Sequence, residues 1–222
     1  TSQILGDSIE FSGLVEIPTE ASFKTNGKLT LKAESSTSYG QMILDGTLEG
    51  KLNMDLWFEL TNGPNNGKYF YIGTPFSDAT VNDFNNGGHF EVNNADPAKN
   101  SVWKWDPDGA EWVNSTGTTN VGSHSPHAFF VGNNTYGNFL KTDSASGKIS
   151  LSGTLNSTPE DRFVFEFNNG QNSSVSFVGG SSQAATEGWN MTANPYPSQY
   201  DNSQTTREGS VSPAVYVWNG QS

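Results

Sequence analysis

Gly46-Thr47-Leu48 followed by Trp57-Phe58-Glu59-Leu60-Thr61-Asn62-Gly63 is a strand-rich passage that this chain contains twice. It returns as Gly153-Thr154-Leu155 followed by Val164-Phe165-Glu166-Phe167-Asn168-Asn169-Gly170, each position 107 further along (46 to 153, 63 to 170). Seven of the 18 aligned positions are identical, where ordinary composition supplies about one. The echo continues at slightly different offsets, as loops of unequal length between matched strands require. Tyr69 to Phe76 parallels Trp189 to Tyr196, and Val102-Trp103-Lys104-Trp105 parallels Val215-Tyr216-Val217-Trp218. In the first copy Leu56, Phe58 and Leu60 alternate with Trp57 and Glu59; in the second Phe163, Phe165 and Phe167 alternate with Val164 and Glu166. A period of two is the signature of a strand with one buried face. Asn-Gly and Asp-Gly pairs punctuate the chain as turns, and no stretch keeps a helical apolar period. The expected fold is all-β, a duplicated, jelly-roll-like β-sandwich.

The first 45 residues differ in texture. Ile9 to Phe11, Leu14 to Ile17, Lys28 to Lys32 and Gln41 to Leu44 are short apolar runs at tight spacing. They read equally as rungs of a β-solenoid or as one sheet of a sandwich. The division that follows is a short-strand segment (1–45), a first β unit (46–146) and a second unit (147–222). The first unit turns at Asp106-Pro107-Asp108-Gly109 and returns as Ala110-Glu111-Trp112-Val113, whereas the second reaches Trp218-Asn219-Gly220 and stops at Ser222. An open sheet edge would result, so the expectation is that the polypeptide continues or that another chain supplies the strand.

Composition narrows the function classes. The 222 residues carry 11 basic and 23 acidic side chains, a net charge of −12. That surface repels phosphate backbones and anionic lipid, which argues against nucleic acid and membrane insertion. Aromatics at 12% offset a hydrophobic content of 33%, because each ring buries a large area. With no cysteine, disulfides and thiolate chemistry are excluded. The low charge and the abundance of Asn, Ser, Thr and Gly suit an extracellular or cell-surface protein.

One run has a family likeness. Gly188-Trp189-Asn190-Met191-Thr192-Ala193-Asn194-Pro195-Tyr196-Pro197-Ser198, with Gly153-Thr154-Leu155-Asn156 and Leu29-Thr30-Leu31-Lys32-Ala33, resembles the repetitive β-rich modules of Bacteroidota secreted and cell-surface proteins. Those modules occur in large adhesins exported by type IX secretion. Met191 and Ala193 depart from the family's usual residues without altering the turn chemistry. The resemblance implies export, adhesive or scaffold duty and no catalytic residues. Physically, Asn194-Pro195 starts a turn, Pro195 and Pro197 fix φ, and the Asn side chains satisfy nearby backbone, so the run reads as a structural corner.

The chemistry-bearing candidates each have a plainer reading. Glu59 and Glu166 match between copies, yet alternation puts each opposite its strand's Phe residues, and duplication explains the match. His124 and His127 flank a proline in a polar loop. Asp106 and Asp108 have the spacing that opens many calcium loops but lack a later acidic ligand, so calcium is the one metal worth testing. Exposed aromatics are the best binding hint. Trp103 and Trp105 share a face opposite Val102 and Lys104, which reads first as core and second as a sugar-stacking platform. Trp112, Trp189 and Tyr196 complete the candidate ligand-binding set. The leading expectation is a non-enzymatic module of a secreted adhesin or filament, partnered by other surface-protein chains or the remainder of a larger polypeptide. A carbohydrate-binding module, calcium-dependent or not, is the second.

Overall fold

The computed structural model describes residues 2–35, 37–59, 68–85, 102–106, 111–122, 127–131, 133–134, 137–138, 146–155, 193–194, 196–199 and 203. Among them the regular structure is all-β, with one 3₁₀ turn at Val81–Asn85 and no α-helix.

The N-terminal strands are rungs. The first coil is β1 (Ser2–Ile4), β2 (Ile9–Phe11) and β3 (Leu14–Ile17). The second is β4 (Ser22–Lys24), β5 (Leu29–Leu31), a small hairpin of β6 (Ala33–Ser35) and β7 (Ser38–Tyr39), and β8 (Gln41–Leu44). The third begins with β9 (Thr47–Glu49) and β10 (Leu52–Glu59). Every coil-to-coil pairing is parallel: β1–β4–β9, β2–β5–β10 and β3–β8. Parallel strands need a long return path, and here the rest of the coil supplies it in place of a helix. Like sits on like: Ile9 beside Leu29, Phe11 beside Leu31, Val15 beside Met42. Leu29, Leu31 and Met42 are buried as a result. The stack does not end at residue 45; it runs on through β9 and β10.

Two corners make the coils possible. At Asn26-Gly27 both residues have positive φ (52° and 72°), as the turn chemistry predicts. Beside it, the buried Thr25 hydroxyl donates to the Lys51 carbonyl at 2.5 Å, and its N–H donates to the Glu49 carbonyl at 3.0 Å. Gly46, of the Asp45-Gly46 pair, serves its turn in another way. It lies outside the positive-φ set, and what it provides is room: a Cβ there would stand 2.4 Å from the carbonyl oxygens of both Pro18 and Ala21.

β10 is where the architecture changes. Its N-terminal end pairs in parallel with β5, while its whole length pairs antiparallel with β17 (Ser146–Gly153); the intervening strands are introduced below. Leu56 faces Ile149 and Met54 faces Leu151 on the core side. On the other side, where alternation alone predicts half-exposure, Asp55 is buried because β6 lies against β10. Its carboxylate is held by Lys148 Nζ at 2.9 Å, the Ser150 hydroxyl at 2.5 Å and the Ala33 N–H at 3.3 Å.

A second sheet is built from β11 (Lys68–Ile72), β12 (Val102–Asp106), β13 (Glu111–Asn114) and β14 (His127–Val131) in the antiparallel order β11–β14–β12–β13. The two-residue strands β15 (Asn133–Asn134) and β16 (Gly137–Asn138) pair nearby in sequence. The inner face of the four-stranded sheet carries Ile72, Val102, His127 and Phe129, all buried. Phe84 of the 3₁₀ turn packs on Phe129 with ring centroids 4.4 Å apart. Asp83 fixes that turn by accepting from the Thr80 N–H (2.7 Å) and hydroxyl (2.9 Å). The apolar residues of coils, turn and sheet form one continuous core.

A polar clamp closes the seam between stack and sheet. Asp78 accepts from the Thr154 N–H at 2.7 Å and hydroxyl at 3.1 Å, and pairs with Lys51 at 3.4 Å. Desolvation acts to raise its pKa, but the Thr154 hydrogen bonds and the Lys51 charge prevail and hold it below the ordinary 3.8. A depressed folded pKa means the stabilisation is present above the unfolded value and lost as the pH falls through 3.8 toward the folded one. Asp78→Asn is therefore expected to lower stability modestly at neutral pH, with the deficit shrinking as the pH falls below 3.8 and vanishing below the depressed folded value, as read by urea melts across pH. A constant deficit at all pH values would show that the charge is not what matters.

The proline-rich corner also docks on the stack. The Asn194 side chain accepts from the Tyr196 N–H at 2.9 Å and donates to the Ser198 carbonyl at 2.5 Å. The Met42 N–H of β8 donates to the Pro197 carbonyl at 2.8 Å, and the Gln199 N–H donates to the Gln41 side chain at 3.0 Å. The segment thus occupies the side of β8 away from β3. Residues 161–190 and 211–222, which hold Glu166, Trp189 and the expected terminal strand Val215 to Trp218 of the second copy, lie outside the described residues.

Candidate functional site: an aromatic sheet face

Alternation along the four-stranded sheet sends Val102 inward and Trp103 and Trp105 outward. That corrects the reading of the tryptophan face as core: the core face is the one carrying Val102. The register collects further rings on the outer face. Tyr71 is opposite Ala128, Ala128 opposite Trp103, and Trp105 opposite Trp112. Ala128 is the small residue in this set, and the surrounding rings lean over it so that it is buried.

The rings pack on one another in offset and edge-on geometries. Tyr71 stacks on Trp112 at 5.6 Å with planes 13° apart. Tyr69 meets Trp103 edge-on at 5.6 Å, and Trp105 meets Trp112 edge-on at 5.4 Å. Packing does not hide them. Tyr69, Tyr71 and Trp112 remain 42%, 39% and 38% exposed, and with Trp103 and Ala128 they line a depression of about 290 Å³. Burial, with a smaller contribution from Tyr69, raises the Tyr71 phenol above its ordinary 10.0. Its ring therefore stays neutral at physiological pH. Among the described residues no carboxylate, imidazole or amine lines the depression. The Trp105 indole N–H is buried and has no acceptor among the described residues.

The candidate residues divide accordingly. Trp103, Trp105 and Trp112 come together on this face. Tyr196 belongs to the corner beside β8, and Trp189 lies outside the described residues. Asp106 alternates onto the face opposite the rings, in register with Glu111, and Asp108 is outside the described residues. Among the described residues no group of three His, Cys, Asp or Glu converges as a metal site. His127 is a buried residue of the inner face, 6.4 Å from Phe129 between ring centroids. Tyr69 and Tyr71 were missed, although Tyr69-Phe70-Tyr71-Ile72 carried the signal. Two tyrosines alternate there with two apolar residues, so the phenols share the outward face once Phe70 and Ile72 turn inward.

Comparison with known proteins finds no family profile, no curated protein and no solved structure that matches this chain.

Proposed function

We propose that the chain is a non-enzymatic extracellular surface module that binds glycan on the aromatic face of β11–β14–β12–β13. One observation carries the reading: neutral, half-exposed rings cluster on a sheet face whose other side anchors the core. Exposed aromatic clusters of this kind mark interaction sites, because solvating several large rings is unfavourable. The C–H faces of sugar rings are apolar and flat enough to stack on them, while the ring hydroxyls stay in water or bond to neighbouring polar groups. Tyr69 and Tyr71, both lining the depression, carry hydroxyls of this kind. The likeness of Gly188 to Ser198 to Bacteroidota surface modules supports the extracellular, adhesin-type setting.

A glycan array probed with and without calcium tests the proposal. Specific binding is expected, indifferent to EDTA, because Asp106 is on the opposite face from the rings. Trp112→Ala is expected to weaken it about tenfold, roughly 1.4 kcal/mol. Tyr71→Ala should do the same, since the two rings support each other. A blank array, or binding untouched by both variants, would move the function away from this face. Capture of a protein ligand through the same rings would favour the adhesin reading without glycan.

A further inference from the structure

Strand alternation sorts the four-stranded sheet by charge as well as by ring. Trp103 is opposite Asn114 and Trp105 opposite Trp112, so Asn114 shares the outer face with the rings and Ala128. The charged side chains described on these strands take the other face. Lys104 is opposite Val113 and His127, and Asp106 is opposite Glu111. Among the described side chains the outer face therefore carries no Asp, Glu, Lys, Arg or His.

Asn114 is exposed, and it is the register partner of Trp103, which lines the depression. Its amide both donates and accepts hydrogen bonds, as a sugar hydroxyl does. Ring and amide side by side offer the two contacts an uncharged sugar makes, one to its C–H face and one to its hydroxyl edge. A carboxylate or sulfate would fare worse. It would give up water on a face whose described side chains hold no cation, and the chain's net charge of −12 would repel it. We propose that this face takes uncharged glycans and rejects those bearing uronate, sialate or sulfate, with Asn114 bonding a sugar hydroxyl beside Trp103. The proposal builds on the glycan reading of the face and adds to it a charge class and a specificity-determining residue.

The probes are pairs of glycans alike in backbone and different in charge: lactose and sialyllactose, methyl-esterified and de-esterified polygalacturonate, unsulfated and sulfated galactan. Each is titrated into the full chain by calorimetry at low and high salt. In every pair that binds, the uncharged member is expected to bind about tenfold tighter at low salt. The gap should narrow at high salt, while the affinity for the uncharged member stays the same. Asn114→Ala is expected to weaken the uncharged member about fivefold, the loss of one hydrogen bond. Asn114→Lys should strengthen the acidic member about threefold at low salt, as a surface ion pair does. Lys104→Gln, on the opposite face, should change neither. Equal or tighter binding of an acidic member overturns the charge class while leaving the glycan reading in place. A gap that salt leaves unchanged does the same, because shape rather than charge would then reject the acid. Full affinity in Asn114→Ala removes the role given to that residue. Silence from both members of every pair brings down the glycan reading and this proposal with it.

Discussion

Phe76→Ala is expected to destabilise the fold by about 4 kcal/mol, within the 3–5 kcal/mol range for deleting a fully buried aromatic ring. Phe76 has no exposed surface and bridges to Leu155 across the seam between coil stack and sheet. Its surroundings come from separate parts of the chain, so they collapse poorly into the space the ring leaves. At 222 residues the loss corresponds to a fall of about 8–16 °C in the melting temperature. Phe76→Leu keeps most of the volume and should cost about 1–2 kcal/mol. Urea melts of the two variants give the comparison. A loss below about 1 kcal/mol for alanine would mean that the two parts of the core are not mechanically one.

The second large effect is expected at Asp55. Asp55→Ala strands the Ala33 N–H, the Ser150 hydroxyl and the Lys148 ammonium, and is expected to cost about 3 kcal/mol, the low end for breaking a buried ion pair. The low end applies because the Lys148 side chain is 38% exposed and can turn toward water. The pairing of Asp55→Leu with Lys148→Met should recover most of that loss, since the apolar pair needs no desolvated partner. A double variant as unstable as Asp55→Ala would show that the Ala33 and Ser150 hydrogen bonds, rather than the ion pair, hold this site.

The strand content was legible because its determinants are local. Alternation in Leu29-Thr30-Leu31 and Val102-Trp103-Lys104-Trp105 fixes which residues share a face, and Asn26-Gly27 fixes a turn whatever surrounds it. The choice between rung and sandwich strand was not legible, because three or four apolar residues look the same whether their neighbour runs parallel or antiparallel. Repetition also misleads at short range. Gly46-Thr47-Leu48 opens a parallel rung, while Gly153-Thr154-Leu155 closes an antiparallel strand and bridges to Phe76. Three residues record a need for space and a turn, not a topology. The burial of Asp55 was hidden for a similar reason: the hairpin that covers it is more than fifteen residues upstream. On the aromatic face, alternation paired Trp103 with Trp105, but which face was core depended on Phe129 and Phe84, contributed by other elements.

The double role of β10 also shapes how the chain finds its fold. Within the coils, partners are 20 to 27 residues apart, as in Ser2 with Ser22 and Leu14 with Gln41. Asp55 and Ser150, by contrast, are 95 residues apart. Loop-closure entropy grows with the logarithm of that separation, which adds about 1.4 kcal/mol to bringing β17 onto β10 relative to adding one more rung. A series of short closures is thus the less costly route to the coil stack, and β10 offers the edge on which the one long closure is made.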